Sequence, residues 1–360
     1  MSAGPGERMA PEGAPSVRYA VGVDLGGTNL RMALYPVSGP RLESPTPTPT
    51  TPAAPPTPPT PPRPVLRHRQ LVGESRSPAE LADTLVGLLE TQVAPWLRER
   101  GLDPTTTPLG IGIAAMLGPG GIVVNAPNLH WRDVPFVDLL RARLGPQQPL
   151  GLYNDVAAIT HGEWSVGAGV GVRDLLAVFV GTGVGGAVIA DGRSIDGASM
   201  CAGEIGHIKV AHGDAAPLCG CGMRGCVEAF VGGTHLQARI RQELAHGAHS
   251  AALARADGDV EQLHPGHLDA AAADGDAYAL GLYTELAPLL AIAIGNAITL
   301  LNPARLVLGG GMLSRMPVFR AHVLAALPGA VNPAQLAPLS IVEPALGDDA
   351  GMLGSALLVS

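Results

Sequence analysis

The chain is short of every feature that would mark it for export, for a membrane or for a nucleic acid. Among 360 residues, 23 Lys and Arg stand against 31 Asp and Glu, a net charge of -8. No basic cluster stands out, which argues against a nucleic-acid-binding surface. The opening MSAGPGERMAPEGAPS has no apolar core of a secretory signal. The longest apolar stretch, Leu286 to Leu301, is broken by Pro288, Gly295 and Asn296. It is too short to span a bilayer and reads as a buried helix. Cysteine is scarce: of four, three fall in one short run and Cys201 is left single, as suits a reducing cytoplasm. Gly309-Gly310-Gly311 follows the strand Leu306-Val307-Leu308 with no G-K-[ST] behind it, so it is not a Walker loop. These absences leave a soluble cytoplasmic protein, long enough for two domains of ordinary size.

The pattern along the chain is α/β. Residues 1–16 are polar and Gly/Pro-rich and read as disordered. Val17 to Asp24 reads as a strand, Leu25 to Asn29 as a tight turn, and Leu30 to Tyr35 as the returning strand. Between Pro45 and Pro64, 11 of 20 residues are proline, so residues 40–64 read as an extended surface insertion that cannot pack a core. Ser77-Pro78-Ala79-Glu80 has the form of a capping box, with Leu81, Leu85, Leu88 and Leu89 as the apolar face behind it. Leu109 to Ala115 and Leu150 to Tyr153 read as buried strands, and Asp155 opens a helix. The strand–glycine turn–strand device then recurs: Leu175 to Val180, the turn Gly181 to Gly186, and Ala187 to Ala190. Two copies suggest two related domains facing each other across a cleft, 17–152 and 153–346, with a helix at 347–360 packing back on the first.

What is most informative is the run Cys219-Gly220-Cys221-Gly222-Met223-Arg224-Gly225-Cys226, with Glu228 after it and Glu204-Ile205-Gly206-His207 before it. Three thiolates and one imidazole are the ligand set of a closed tetrahedral zinc site. The competing reading, buried apolar cysteines or a disulfide, is disfavoured by the glycines between them. His207 and His212 both compete for the fourth position. A metal there would fix Glu204 and Glu228 in space, and rigidly held carboxylates suit a polyhydroxylated ligand such as a sugar.

Glycine turns expose backbone N–H groups that can cradle phosphate oxygens. The first turn offers Gly26, Gly27 and Thr28 with Asp24 at its mouth, where a carboxylate can meet a magnesium-bound phosphate. The second offers Gly181, Thr182, Gly183, Gly185 and Gly186, and Gly309, Gly310 and Gly311 could let an adenosine lie against backbone. Together the turns point to ATP. Asn154-Asp155 sits where a strand gives way to a helix. Asp155 reads as the N-cap and as a base kept ionised by the helix N-terminus. Asn125 and Asn128 flank Pro127 and could be turn formers.

Val23 to Asn29, Tyr153-Asn154-Asp155, the Gly181 to Gly186 turn, Glu204 to His207, Cys219 to Glu228 and Leu308 to Gly311 resemble, in order, the ROK family of bacterial sugar kinases and repressors, most of all its ATP-dependent glucokinases. The resemblance implies a two-domain actin-like (ribonuclease H-like) ATPase fold with an interdomain cleft and a zinc-binding loop. It implies phosphoryl transfer from MgATP to the 6-hydroxyl of an aldohexose, glucose first, with other hexoses and N-acyl amino sugars as rival acceptors and polyphosphate as a rival donor. Asp155 would be the catalytic base. Asn154, Glu204, His207 and Glu228 would bind sugar hydroxyls, with Asn128 and Gly118 as minor contacts. Structural Zn2+ would be held by His207, Cys219, Cys221 and Cys226, and the two hairpin turns would hold the phosphates. A homodimer or homotetramer would be the assembly. Two departures stand out: a long interval from His207 to Cys219, which keeps His212 in play, and the Pro/Thr insert. The family's repressors carry a helix-turn-helix module, for which the Gly/Pro-rich residues before the first strand are too few.

Overall fold

The computed structural model describes residues 17–37 and 59–360. The segment expected to be disordered, 1–16, and most of the Pro/Thr insert lie outside the described residues.

Two five-stranded sheets share one topology. The first joins β1 (Arg18–Leu25), β2 (Asn29–Val37), β3 (Leu66–Leu71), β4 (Leu109–Ile113) and β8 (Leu150–Asn154) in the order β3-β2-β1-β4-β8. β1, β2 and β3 run antiparallel, while β4 and β8 run parallel to β1. The second joins β9 (Leu175–Val180), β10 (Val184–Ala190), β11 (Arg193–Ser194), β12 (Arg305–Gly309) and β13 (Ser340–Val342) in the order β11-β10-β9-β12-β13. Again a hairpin leads and two parallel strands follow. A small antiparallel sheet of β5 (Met116–Gly118), β6 (Ile122–Ala126) and β7 (Trp131–Val134) branches from the end of β4 and carries Asn125 and Asn128 beside its turns.

Each sheet has its own core. β4, Leu-Gly-Ile-Gly-Ile, is buried at all five positions, as a central parallel strand covered on both faces requires. The helix Pro78–Leu88 packs Leu81 and Leu85 on that sheet. Ser77 precedes this helix without making a side-chain cap, so the capping-box reading gives the right start for the wrong reason: Pro78 alone sets it. The long helix Ala277–Leu301 forms the backbone of the second core, through Leu286, Leu290, Ile294 and Ile298. Among the described residues it is the one helix long and apolar enough to cross a membrane. It begins earlier than the apolar run suggests, accommodates Pro288, and leaves Leu300 86% exposed.

The helix Asp155–Val166 runs from the first sheet into the second, and the helix Ala350–Val359 returns to lie beside it and against β1 and β4. One buried carboxylate ties these passages together. Glu163 accepts hydrogen bonds from the N–H groups of Ala168 at 2.8 Å, Ala345 at 2.9 Å and Leu346 at 2.8 Å. The helix that presents Asp155 is thereby anchored at its far end.

Candidate active site

The site is a groove of about 580 Å³ with walls from both sheets. Its floor is the junction of β8 with the helix Asp155–Val166. Asn154 has extended backbone and is the N-cap: its Oδ1 accepts from the N–H groups of Val156 at 2.9 Å and Ala157 at 3.1 Å. Its Nδ2 donates to the Ala115 carbonyl at 3.1 Å. Asp155 is therefore the first helical residue and not the cap; its Oδ1 accepts from Val156 N–H at 2.9 Å, and the residue lines the groove. Burial pushes the Asp155 carboxyl up to about 7, with the Asp24 charge and, more weakly, Glu204 adding to the shift. A carboxylate that is half ionised at neutral pH is matched to taking a proton from an alcohol.

One wall is the second glycine turn, between β9 and β10. Gly181 N–H closes it on the Gly183 carbonyl at 2.9 Å. The start of the helix Gly233–Ala245 hangs from the same turn: Gly233 N–H donates to Gly181 O at 2.9 Å and Thr234 N–H to Thr182 O at 3.0 Å. The positive end of that helix and a row of glycine amides thus meet in one place, which favours an anion. Glu228 reaches the turn from the other side, its Oε2 accepting from Val184 N–H at 2.9 Å. Gly183 makes that approach possible, since a Cβ there would lie 2.4 Å from the same oxygen.

The first glycine turn, between β1 and β2, lies outside the groove lining. It touches the groove through Gly27, which packs so closely on Asn128 that a Cβ would stand 2.9 Å from the Asn128 carbonyl oxygen. Asp24 is paired with Arg31, whose Nε donates to Oδ2 at 2.8 Å and whose Nη2 contacts the same oxygen. Both contacts use one oxygen, leaving Oδ1 for another partner.

The cysteine loop forms the far end. Cys221 Sγ lies 3.7 Å from Cys226 Sγ, and Cys219 Sγ 3.7 Å from His207 Nδ1. A tetrahedron with metal–sulfur bonds of about 2.3 Å has edges of about 3.8 Å, so these spacings fit a shared divalent ion and not a disulfide. The ligand atoms of His207, Cys219, Cys221 and Cys226 all fall within 4.8 Å of one another, whereas His212 is exposed and outside that group. With protein alone around it, burial pushes the Cys219 thiol up to about 12, and a cation bound there would favour its thiolate. His207 then points Nε2 the other way, 3.8 Å from Glu204 Oε2, and Glu204 is itself held above the usual carboxylate range by burial. Glu228 Oε1 lies 3.5 Å from Cys219 Sγ, so this carboxylate bridges the cysteine loop to the second glycine turn.

Residues 65–360 match the ROK family. The chain belongs to it. Among curated ROK relatives, the glucokinase of Halalkalibacterium halodurans is 30% identical over 355 residues, 96% of each chain. The glucokinase of Thermotoga maritima is 28% identical over 341 residues, 94% of this chain and 96% of its own. Among solved ROK structures, a Streptomyces griseus glucokinase in complex with glucose and AMPPNP superposes with a TM-score of 0.69 at 25% identity, covering 94% of this chain and 98% of that one. The α/β architecture is accordingly that of the ROK sugar kinases, within the actin-like ATPases.

In this ROK chain the groove gathers Asn128, Asn154, Asp155, Glu204, His207 and Glu228, together with Gly181, Thr182, Gly183, Gly185, Gly186, Gly310 and Gly311. It does not gather Asp24, Gly26, Gly27, Thr28, Gly118 or Gly309. Gly309 is the last residue of β12 and backs onto Pro344, and Gly118 is buried in β5. Three residues in or beside the site had no sequence motif of their own. Arg31 was legible in principle, because the hairpin register sets it directly opposite Asp24. Thr234 and His235 line the groove, His235 lying within 4.8 Å of Cys219 and Glu228, and only the folded chain brings them there.

Proposed function

We propose that this chain is an ATP-dependent hexokinase of the glucokinase type, moving the γ-phosphoryl group of MgATP to the 6-hydroxyl of glucose. The observation that carries the reading is the meeting of Asp155, with its raised pKa, and the Glu204–His207–Glu228 set in one groove walled by a glycine turn.

The sugar lies over Asp155 with its hydroxyls on Glu204, Glu228 and His207 Nε2. Asn154 contributes one remaining Nδ2 hydrogen, since its oxygen is spent on the helix cap. Asp155 accepts the 6-hydroxyl proton, the oxygen bonds to the γ-phosphorus, and the bond to the β-phosphate oxygen breaks to release ADP. Phosphoryl transfer asks the protein mainly for position and charge stabilisation. The N–H groups of Thr182 and Gly183 and the N-terminus of the Gly233–Ala245 helix supply both, those of Gly181 and Val184 being spent on the Gly183 carbonyl and Glu228. Gly310 and Gly311, with Phe179, accommodate the nucleoside. Gly26 to Thr28 complete the phosphate site when the groove narrows around the sugar, which also excludes water as a competing nucleophile. Asp24, whose Oδ1 is left over by the Arg31 pair, would hold the nucleotide's Mg2+ directly or through water, and the ion would spread the phosphate charge.

Zn2+ held by His207, Cys219, Cys221 and Cys226 would supply a rigid cross-link within the loop. His207 and Glu228 are the residues that convert that rigidity into sugar recognition, one through its second ring nitrogen and the other through Val184 N–H. The enzyme works in the cytoplasm as a homodimer or homotetramer.

A coupled assay of purified protein with MgATP against glucose, mannose, fructose, N-acetylglucosamine and N-acetylmannosamine tests the assignment. Glucose should give the highest kcat/KM. A preference for an N-acyl amino sugar, or turnover with polyphosphate and none with ATP, would replace it.

A further inference from the structure

Lys209 is the only lysine in the 360-residue chain; the other 22 of the 23 basic residues are arginine. It stands at one place of consequence. Residues 208–210 run antiparallel to 225–227: Val210 N–H donates to Gly225 O at 2.9 Å, Val227 N–H to Ile208 O at 3.0 Å, and Lys209 is the bridge partner of Cys226. Paired residues in such a ladder project to the same side. The half-buried Lys209 side chain is accordingly delivered to its neighbour, and Nζ donates to Cys226 Sγ at 2.8 Å, a sulfur in a residue wholly removed from solvent.

Charge balance says why an ammonium belongs there. Three thiolates and a neutral imidazole around a dication leave one surplus negative charge. Glu204 and Glu228 add two more on the groove side. The other cation of the loop, Arg224, is exposed and turns its guanidinium to the Ala216 carbonyl at 2.8 Å. Lys209 is therefore the cation aimed at sulfur. We propose that the Lys209 ammonium is the positioning residue of the metal centre: it neutralises the surplus charge on the Cys226 thiolate, so that this sulfur stays on the metal and is a poor nucleophile toward outside electrophiles. The inference rests on the zinc reading of the cysteine loop. A charged donor suits the task because its hydrogen bond is about twice as strong as a neutral one. It also gives Cys226 a donor of its own, whereas the Cys219 and Cys221 sulfurs have the backbone N–H groups of Cys221 and Met223.

The test compares purified wild type with Lys209→Met and Lys209→Arg. Zinc per chain is measured first. N-ethylmaleimide is then added, zinc release is followed with a chromogenic chelator, and the alkylated cysteine is located by mass spectrometry. Wild type should hold one zinc. Lys209→Met should release it about 10- to 100-fold faster, the range for losing a partner of a metal ligand, with Cys226 alkylated first. Lys209→Arg should stay near wild type. Because no other lysine competes, acetylating the folded holoprotein removes the same side-chain ammonium without relying on a variant that folds. It should speed release in wild type and leave Lys209→Arg unchanged. Wild-type protein without zinc would overturn the metal centre and this inference with it. Bound zinc released equally fast from wild type, Lys209→Met and acetylated protein would overturn only the role of Lys209.

Discussion

The two glycine hairpins occupy equivalent places in the two sheets, yet they obtain their charged partners by opposite routes. The β1–β2 turn brings its own: Asp24 and Arg31 face each other across the same hairpin. The β9–β10 turn has no charge of its own and borrows Glu228 from 44 residues further along the chain, through the N–H of Val184. One device is therefore a self-contained acidic and basic pair at the edge of the groove. The other is a bare anion cradle whose geometry depends on the cysteine loop. Duplicating a backbone shape did not duplicate its chemistry, because hydrogen-bond partners are set by what packs against each copy.

Asp155 lies at the floor of the groove, and its variant asks how much of the rate the turns supply alone. Asp155→Asn removes the proton acceptor while keeping the helix start, which Asn154 caps. Turnover should fall about 10²- to 10⁴-fold, the usual range for a general base. Glucose affinity by calorimetry should stay within a few-fold. Near-normal turnover would mean that phosphate positioning by the turns suffices and that Asp155 is not the base.

Within the second turn, neighbouring glycines should respond very differently. A Cβ at Gly183 would meet Glu228 Oε2 at 2.4 Å, while one at Gly181 would meet nothing within 4 Å. Gly183→Ala should weaken glucose binding roughly tenfold or more, equivalent to about 1.4 kcal/mol. Gly181→Ala should leave it nearly unchanged. Equal effects would show that the Glu228–Val184 contact does not order the sugar side. In the first turn the same contrast falls on Gly27, packed against the Asn128 backbone, and Gly26, whose nearest neighbour is Asn29 O at 3.7 Å. Because this turn stands outside the groove lining, Gly27→Ala should raise the KM for ATP only a few-fold, and Gly26→Ala less.

These contrasts also mark what a sequence can and cannot disclose. The cysteine run was legible as a cluster because such spacing lets one short loop fold its cysteines together, and the ligand atoms of the three cysteines and His207 lie within 4.8 Å of one another. The repeated hairpins were legible from strand–turn–strand periodicity. The Asp24–Arg31 pair was latent in the register, two residues beyond the turn on either side. By contrast, the N-cap was misassigned by one position. Asn154 and Asp155 are both good caps, and the choice is made by β8 holding Asn154 extended through its pairing with β4. Gly309 was grouped with Gly310 and Gly311, although the strand ends between them and turns Gly309 away. The Glu228–Val184 bond, the placement of His235 and the Glu163 anchor all join segments far apart in sequence. No local pattern encodes them.

The subtlest difference between the hairpins is electrostatic, and it should appear in the pH dependence. Asp24 helps to hold the Asp155 carboxyl at about 7, so kcat/KM for glucose should fall on the acid side with a midpoint near pH 7, about tenfold per pH unit below it. Removing the Asp24 charge with Asp24→Asn makes Asp155 easier to ionise. The limb should move to lower pH, and the ratio of activity at pH 6 to that at pH 8 should rise above that of wild type. Arg31→Met does the reverse: an Asp24 carboxylate without its partner repels the Asp155 charge more strongly, so the limb should move up and the ratio should fall. Each shift should change that ratio by less than tenfold, because water in the open groove screens both charges. The two variants are informative as a pair. Opposite displacements tie the first hairpin to Asp155 through charge alone, whereas displacements in the same direction would mean that both variants act by loosening the turn.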